Sequence, residues 1–238
     1  MIGIIGGSGF YFLEENAEEV NVITPYGDVV VQKTRVLEKD VAFIARHGKE
    51  HSIPPHKVNY RANIAAFNKI GVDAILGTYA AGIISKYEPG DVIVPDDFIG
   101  LLTPATFFDD FSGGMKHIDF SQPYDENLKR LLFAVAKVND IPVKKGGIIA
   151  TTAGPRFETK AEIKALKSLG ANLVSMTHSY EAALIGELGI PYLAIAVGTN
   201  YACGISKERL TSDEVIAHME KAKDKTITLV QGMIKRIS

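Results

Sequence analysis

The sequence predicts an α/β fold: a single domain with a central, mixed but mostly parallel sheet surrounded by helices. Two observations carry the prediction. Short apolar runs at residues 172–176 and 192–198 flank a helix-like segment, the alternation expected of parallel strands joined by a crossover helix. Each run ends in polar residues, Met176-Thr177-His178 and Thr199-Asn200-Tyr201. Ligands of open α/β sheets bind beyond the carboxyl ends of strands, so Thr177 and Asn200 are expected beside one crevice. The 238 residues can bury one large core, and no Pro/Gly/Ser-rich linker divides them, so residues 1–238 are read as one domain.

Taken in order, residues 1–5 form a short apolar strand that runs into Gly6-Gly7-Ser8-Gly9. Such a turn either serves the backbone alone or aims N–H groups at an anion, with Ser8 adding a hydroxyl. It is not a dinucleotide fingerprint, because Phe12 stands where glycine or alanine is needed and the next strand, 29–31, ends without a ribose-binding acid. That disfavours a nicotinamide-dependent oxidoreductase.

A strand at 41–45 ends at Arg46-His47-Gly48, ahead of His51, Pro54, Pro55, His56 and a helix over 57–70. Arg46 suits either a surface ion pair or a two-pronged grip on phosphate. The three histidines do not read as a metal site, since Arg46 would repel a cation and no carboxylate or cysteine stands at ligand spacing. A strand at 74–77 leads into Thr78-Tyr79-Ala80-Ala81-Gly82, where small residues let a ligand approach the backbone.

A turn at Glu88-Pro89-Gly90-Asp91 precedes a strand at 92–95. Residues 101–119 have weak periodicity and read as a long surface excursion containing His117, a length that is uncommon unless functional. Leu128, Leu131, Leu132 and Val135 follow the helical i, i+3, i+4, i+7 rule, predicting an amphipathic helix over 126–139. A strand follows at 143–150. Gly154-Pro155-Arg156-Phe157-Glu158-Thr159 supplies a rigid loop, an aromatic face and a carboxylate before a helix over 160–170 that carries Ile163 and Leu166 on one face. The last helix, 212–237, has Ser212 as its N-cap and Ile216, Met219, Ile227, Val230 and Ile234 on one stripe broken by Lys223.

With charged residues at 23% and a net charge of -2, there is no basic field for nucleic acid or an anionic membrane. The single Cys203 excludes an internal disulfide framework, the start MIGIIGGSGF lacks a charged leader, and no apolar run approaches the ~18 residues of a membrane helix. A cytoplasmic protein without membrane or nucleic-acid partners is expected.

Several motifs occur in order along nearly the whole chain: GGSGFY at 6–11, RHG at 46–48 with KVNYRANI at 57–64, PGDVIVPDDFI at 89–99, GPRFET at 154–159, the Met176-Thr177 pair, the helix with Glu181, and Thr199-Asn200. Together they resemble the purine nucleoside phosphorylase and methylthioadenosine phosphorylase family, in its trimeric branch. The resemblance implies phosphate binding by Ser8, Arg46, His47, Thr177 and the Tyr79-Ala80 backbone, with Met176 against the ribose. It implies a nucleoside site lined by Ala81, Gly82, Phe157, Glu158, Tyr201 and Ala202, and catalytic roles for Asn200 and His47. His117 would reach a neighbour's site in a homotrimer or dimer of trimers. No cofactor or metal is implied, inorganic phosphate being a co-substrate.

The side chains then point to the base. An amide at Asn200 can donate to a 6-oxo group while accepting from N7–H, and the Glu158 carboxylate can accept from the N1–H that adenine lacks. Their simpler readings are a turn cap and a helix N-terminal acid. The resemblance therefore implies phosphorolysis of 6-oxopurine nucleosides. Val215 and Ser212, where the family reads the 5′ group, suggest S-methyl-5′-thioinosine, with inosine and guanosine also accepted. A methylthioadenosine phosphorylase and a non-catalytic nucleoside-binding protein are the alternatives. Two places depart from the family: Tyr79 replaces a small hydroxyl residue, and His178-Ser179-Tyr180 replaces a Thr-Val-Pro-like run.

Overall fold

The computed structural model describes residues 1–7, 17–101, 103–207 and 211–237. In chain order these form β1 (Ile2–Gly6), β2 (Glu18–Thr24), β3 (Gly27–Val36), β4 (Lys39–Ala45), α1 (Tyr60–Ile70), β5 (Ala74–Ile83), β6 (Val92–Val94) and β7 (Asp97–Ile99). The second half adds α2 (Glu126–Val138), β8 (Val143–Lys145), β9 (Ile148–Thr151), α3 (Lys160–Ser168), β10 (Leu173–Ser175), α4 (His178–Glu187), β11 (Tyr192–Tyr201) and α5 (Ser212–Arg236). The expected single-domain α/β fold with a mixed sheet is present.

The sheet is organised around β5. Its first residues pair in parallel with β1, from Ile2 opposite Ala74 to Ile5 opposite Gly77, and β4 lies beyond β1. Along the other edge β11 runs parallel from Tyr192 opposite Ile75 to Tyr201 opposite Ile83. Near the carboxyl end of β5 the edge that β1 has left is taken up by β10, antiparallel, with Val174 opposite Gly82 and Leu173 opposite Ile83. Between those partners, Thr78 to Ala81 has no strand neighbour on that edge among the described residues. This notch is where the sheet opens.

Four expectations are corrected here. The runs near 172–176 and 192–198 are not parallel neighbours: β11 is parallel to β5 and β10 antiparallel to it. The 10 residues of α4 span about 15 Å at ~1.5 Å per residue, carrying the chain onward to the level of Ile75 before β11 returns, so the helix extends the direction of β10 instead of reversing it. The strand expected over 143–150 is two strands, since Gly146 and Gly147 have φ of +92° and +97° and cannot continue a pleat. The helix expected over 57–70 starts at Tyr60, after a single 3₁₀ turn at Pro55–Lys57. A hairpin of β2 and β3 replaces the short strand expected at 29–31.

Burial explains which segments were legible. β1 is buried at every residue and β11 at all but its last, which makes them near-continuous apolar runs. Helix α2 buries Leu128, Leu132 and Val135 and is capped by Asp125, whose side chain accepts from the Leu128 N–H. Helix α5 lays Met219, Ala222, Leu229, Val230, Met233 and Ile234 into the core, but Ile216 is 60% exposed, so the stripe starts one turn later than its spacing suggested. No described helix is long and apolar enough to cross a membrane.

Candidate active site

A cavity of about 470 Å³ lies over the notch in the sheet. The β4 end and the following loop contribute Arg46, His47 and Ile53; β5 contributes Ala80 and Gly82; the 154–159 loop contributes Phe157 and Glu158. From the β10 end come Val174, Ser175, Met176 and Thr177, from β11 come Thr199 and Asn200, and Val215 of α5 closes one side. Ten of the residues singled out in the sequence thus meet in one space: Arg46, His47, Ala80, Gly82, Phe157, Glu158, Met176, Thr177, Asn200 and Val215.

The anion corner is built on Arg46, which is buried although it carries a charge. Its Nε donates to Glu181 Oε1 at 2.6 Å, its Nη2 to Glu181 Oε2 at 2.7 Å, and its Nη1 to the Thr78 carbonyl at 2.9 Å. Burial opposes the charge, but the Glu181 carboxylate outweighs it and lifts the Arg46 pKa above the ordinary arginine value. The side-on fork expected to grip phosphate is therefore already taken by Glu181. Gly7 presses against the same group: a Cβ there would stand 2.6 Å from Nη1, so only glycine lets the first turn reach Arg46. Ser8 lies outside the described residues.

His47 is next in sequence. Its Nδ1 is 2.8 Å from the Ile53 carbonyl, which places the ring proton on Nδ1 and leaves Nε2 as an acceptor. Burial, then the neighbouring Arg46 charge, pushes its pKa down to about 4, so the ring is neutral near pH 7. Thr177 caps the start of α4 without using its side chain on the helix, so its hydroxyl is available to the cavity.

The opposite wall carries an amide and an acid. Glu158 is buried, and its Oε1 accepts from the Thr152 hydroxyl at 2.6 Å. Its position is fixed by a complete capping box immediately after it, Thr159 with Glu162, and by Arg156 paired to Glu162 through both Nη atoms. Asn200 is 4% exposed: Oδ1 accepts from the Thr199 hydroxyl at 2.7 Å and Nδ2 donates to the Tyr201 carbonyl at 3.1 Å. Those bonds fix the amide's orientation and leave one Nδ2 hydrogen and one Oδ1 lone pair. Asn200 is inside β11, not beyond it, and a register shift between Gly198 and Asn200 re-aims the side chain.

Several expected contacts are absent from this wall. Tyr79 and Ala81 alternate with Ala80 and Gly82 along β5, so their side chains point to the opposite face of the sheet. Tyr79 is instead bonded to Glu181 and Tyr192 in the interior. Tyr201 turns its hydroxyl outward to Glu88, and Ala202 follows β11 without lining the cavity. His117 sits in a separate surface hollow beside Phe111 and Glu187. Ser212 begins α5, and its side chain lies outside the described residues. Sequence reasoning missed Thr199 and Thr152 as the partners that orient Asn200 and Glu158; hydroxyls near a singled-out amide and acid were the available signal. Among the described residues no group of His, Cys, Asp and Glu could hold a metal ion.

Fold and cavity together define an enzyme-like cleft with an anion corner at one end and, at the other, paired donors and acceptors suited to a flat polar ring. The phosphorylase superfamily model matches residues 1–235. The chain is 42% identical to the 6-oxopurine nucleoside phosphorylase of Pyrococcus furiosus, over 99% of this chain and 92% of that protein. It is also 42% identical to a probable S-methyl-5′-thioinosine phosphorylase of Methanopyrus kandleri, with the same coverage. Among solved structures it superposes on methylthioadenosine phosphorylase from Schistosoma mansoni in complex with adenine, with TM-score 0.90 and 29% identity over 98% of this chain and 90% of that one. The chain belongs to the phosphorylase superfamily.

Proposed function

We propose that residues 1–238 work as one purine nucleoside phosphorylase domain, a pentosyltransferase that cleaves 6-oxopurine nucleosides with inorganic phosphate to give the free base and a ribose 1-phosphate. One observation carries the reading: Arg46 and His47 border the same cavity as Asn200 and Glu158, so an anion and a purine would flank one sugar. The names of the relatives from Pyrococcus furiosus and Methanopyrus kandleri agree with a 6-oxopurine.

In this reading the phosphate is held by Ser8, Arg46, the Ala80 backbone and Thr177, while neutral His47 accepts a hydrogen bond from a protonated phosphate oxygen. Met176 packs on the ribose. As the glycosidic bond breaks, positive charge grows on the sugar beside the phosphate, and the phosphate stabilises it before attacking C1′. The C1′–N9 electron pair leaves with the purine, which gains at N7 the proton that hydrogen phosphate gives up through solvent as its oxygen bonds to C1′. Asn200 Oδ1 accepts from that N7–H while Nδ2 donates to O6, and stabilising the protonated leaving group in this way contributes about 10²–10⁴-fold. Glu158 accepts from N1–H, the group that adenine does not carry.

The 5′ end of the sugar meets Val215, an apolar side chain suited to a methylthio group, so S-methyl-5′-thioinosine is the favoured substrate and inosine and guanosine follow. The enzyme works in the cytoplasm without a cofactor. It assembles as a homotrimer or dimer of trimers in which His117 serves a neighbour's site. Exposed apolar side chains around that histidine, Phe111, Met115 and Ile118, support this surface as the subunit contact.

The test is base release from methylthioinosine, inosine, guanosine and methylthioadenosine with and without phosphate. Hypoxanthine appearing only with phosphate, and kcat/KM highest for methylthioinosine, is the expected result. Release that ignores phosphate, or a preference for methylthioadenosine, overturns the assignment.

A further inference from the structure

Behind the anion corner lies a chain of hydroxyls that the reaction scheme above does not use. Tyr79 O–H donates to Glu181 Oε2 at 2.6 Å, and the Tyr79 and Tyr192 oxygens are 2.5 Å apart. Tyr79 has one hydroxyl hydrogen and gives it to a carboxylate that can only accept. Tyr192 must therefore be the donor in the second bond. The order of donation is fixed as Tyr192 to Tyr79 to Glu181, and all three side chains are buried. Burial, then the Glu181 charge, holds the Tyr79 phenol far above its ordinary pKa, so its hydroxyl keeps its proton and orients its neighbours.

A guanidinium has five N–H donors. Arg46 spends three of them, two on Glu181 and one on the Thr78 carbonyl, leaving one on Nη1 and one on Nη2. Those two are all it can offer an anion in the cavity whose wall it forms. Glu181 competes for them, because a fully buried carboxylate short of donors draws further N–H groups toward itself. Tyr79, with Tyr192 polarising it from behind, supplies Oε2 with a donor that does not come from Arg46.

The surroundings are shaped around this arrangement. The Arg46 guanidinium carbon lies 4.4 Å from the Tyr79 ring centre. At Gly77, two residues back on the same face of β5, a Cβ would fall 2.5 Å from the Tyr79 hydroxyl oxygen, so any side chain there would displace it.

We propose that Tyr79, backed by Tyr192, is a positioning residue for phosphate: by saturating Glu181 it keeps two N–H groups of Arg46 free for the anion. The proposal rests on the phosphorolysis reading and deepens it. Tyr79→Phe is the informative variant, since it keeps the ring under the guanidinium and removes only the hydroxyl.

Calorimetric titration with inorganic phosphate alone, together with KM for phosphate and for inosine, tests it in the full chain. Tyr79→Phe should weaken phosphate binding and raise its KM about tenfold, as for loss of a hydrogen bond to a charged group, with KM for inosine within about twofold of wild type. Tyr192→Phe, which leaves the Tyr79 to Glu181 bond in place, should shift phosphate in the same direction by about threefold. If wild type binds phosphate and Tyr79→Phe binds it equally well, or if both KM values rise together, the positioning role is overturned alone. A wild-type chain that neither binds phosphate nor needs it for turnover overturns the phosphorolysis reading and this proposal with it.

Discussion

Replacing Asn200 by aspartate tests how the site reads the base, and its outcome can be worked from the geometry. In the wild-type chain Nδ2 donates one hydrogen to the Tyr201 carbonyl and, in the proposed reading, offers the other to a 6-oxo group, while Oδ1 already accepts from Thr199. Asn200→Asp keeps the Thr199 bond but sets an oxygen against the Tyr201 carbonyl. At 4% exposure that oxygen cannot turn to water. Leaving the carbonyl unpaired costs about 1–3 kcal/mol, to be seen as a lower Tm.

The effect on selectivity is larger. A 6-oxo group loses its donor and meets an acceptor, whereas a 6-amino group gains an acceptor. At about 1.5 kcal/mol for each of these changes the preference moves by about 3 kcal/mol, or ~10²-fold at 1.36 kcal/mol per decade. The assay is kcat/KM for inosine against adenosine at saturating phosphate. A ratio that stays within about threefold of wild type, in a variant whose Tm has fallen as expected, would show that Asn200 does not face the 6-position.

Two further outcomes concern histidines. His178 is fully buried, and burial, then the Arg46 charge, pushes its pKa down to about 3, while His47 is pushed to about 4. Both stay neutral in the folded chain while unfolded histidines protonate below about 6.5, so stability is lost as pH falls from about 6.5 toward about 4 for His47 and about 3 for His178, at up to about 1.4 kcal/mol per pH unit for His178 and less for the less deeply buried His47. His178→Asn should flatten that acid limb in a plot of denaturation midpoint against pH, and equal slopes for variant and wild type would contradict the assigned pKa. Substituting His117 by alanine should raise KM for the nucleoside in an assembled trimer without changing KM for phosphate; unchanged kinetics, or full activity in a chain that sediments as a monomer, would reject a shared site.

The local signals were strong where the chemistry is local. The helical spacing of Leu128, Leu131, Leu132 and Val135 gave α2 within a residue of its end, and the Gly154–Thr159 run ahead of the helix expected at 160–170 put Glu158 just before α3. Where strands are buried on both faces, an apolar run reveals a strand but not its direction, so residues 172–176 were expected to run parallel to a strand that β10 in fact opposes. The continuation of β5 through Thr78 to Ile83 was hidden for a different reason: its small and polar residues look like a loop until β11 and β10 pair with them.

Apolar patterning and side-chain type thus determined the α/β class and many of the residues that meet at the strand ends, because each depends on a residue's own chemistry or on neighbours within a turn or two, while the expectation of an anion beside a 6-oxopurine rested on the order of motifs that resemble the phosphorylase family. Tertiary structure alone decided which face of β5 Tyr79 occupies and that Arg46 is bound to Glu181, its partner 135 positions further along the chain. Pairing at that distance is set by burial, where a charge without its counter-charge is too costly to keep. No spacing in the sequence records it.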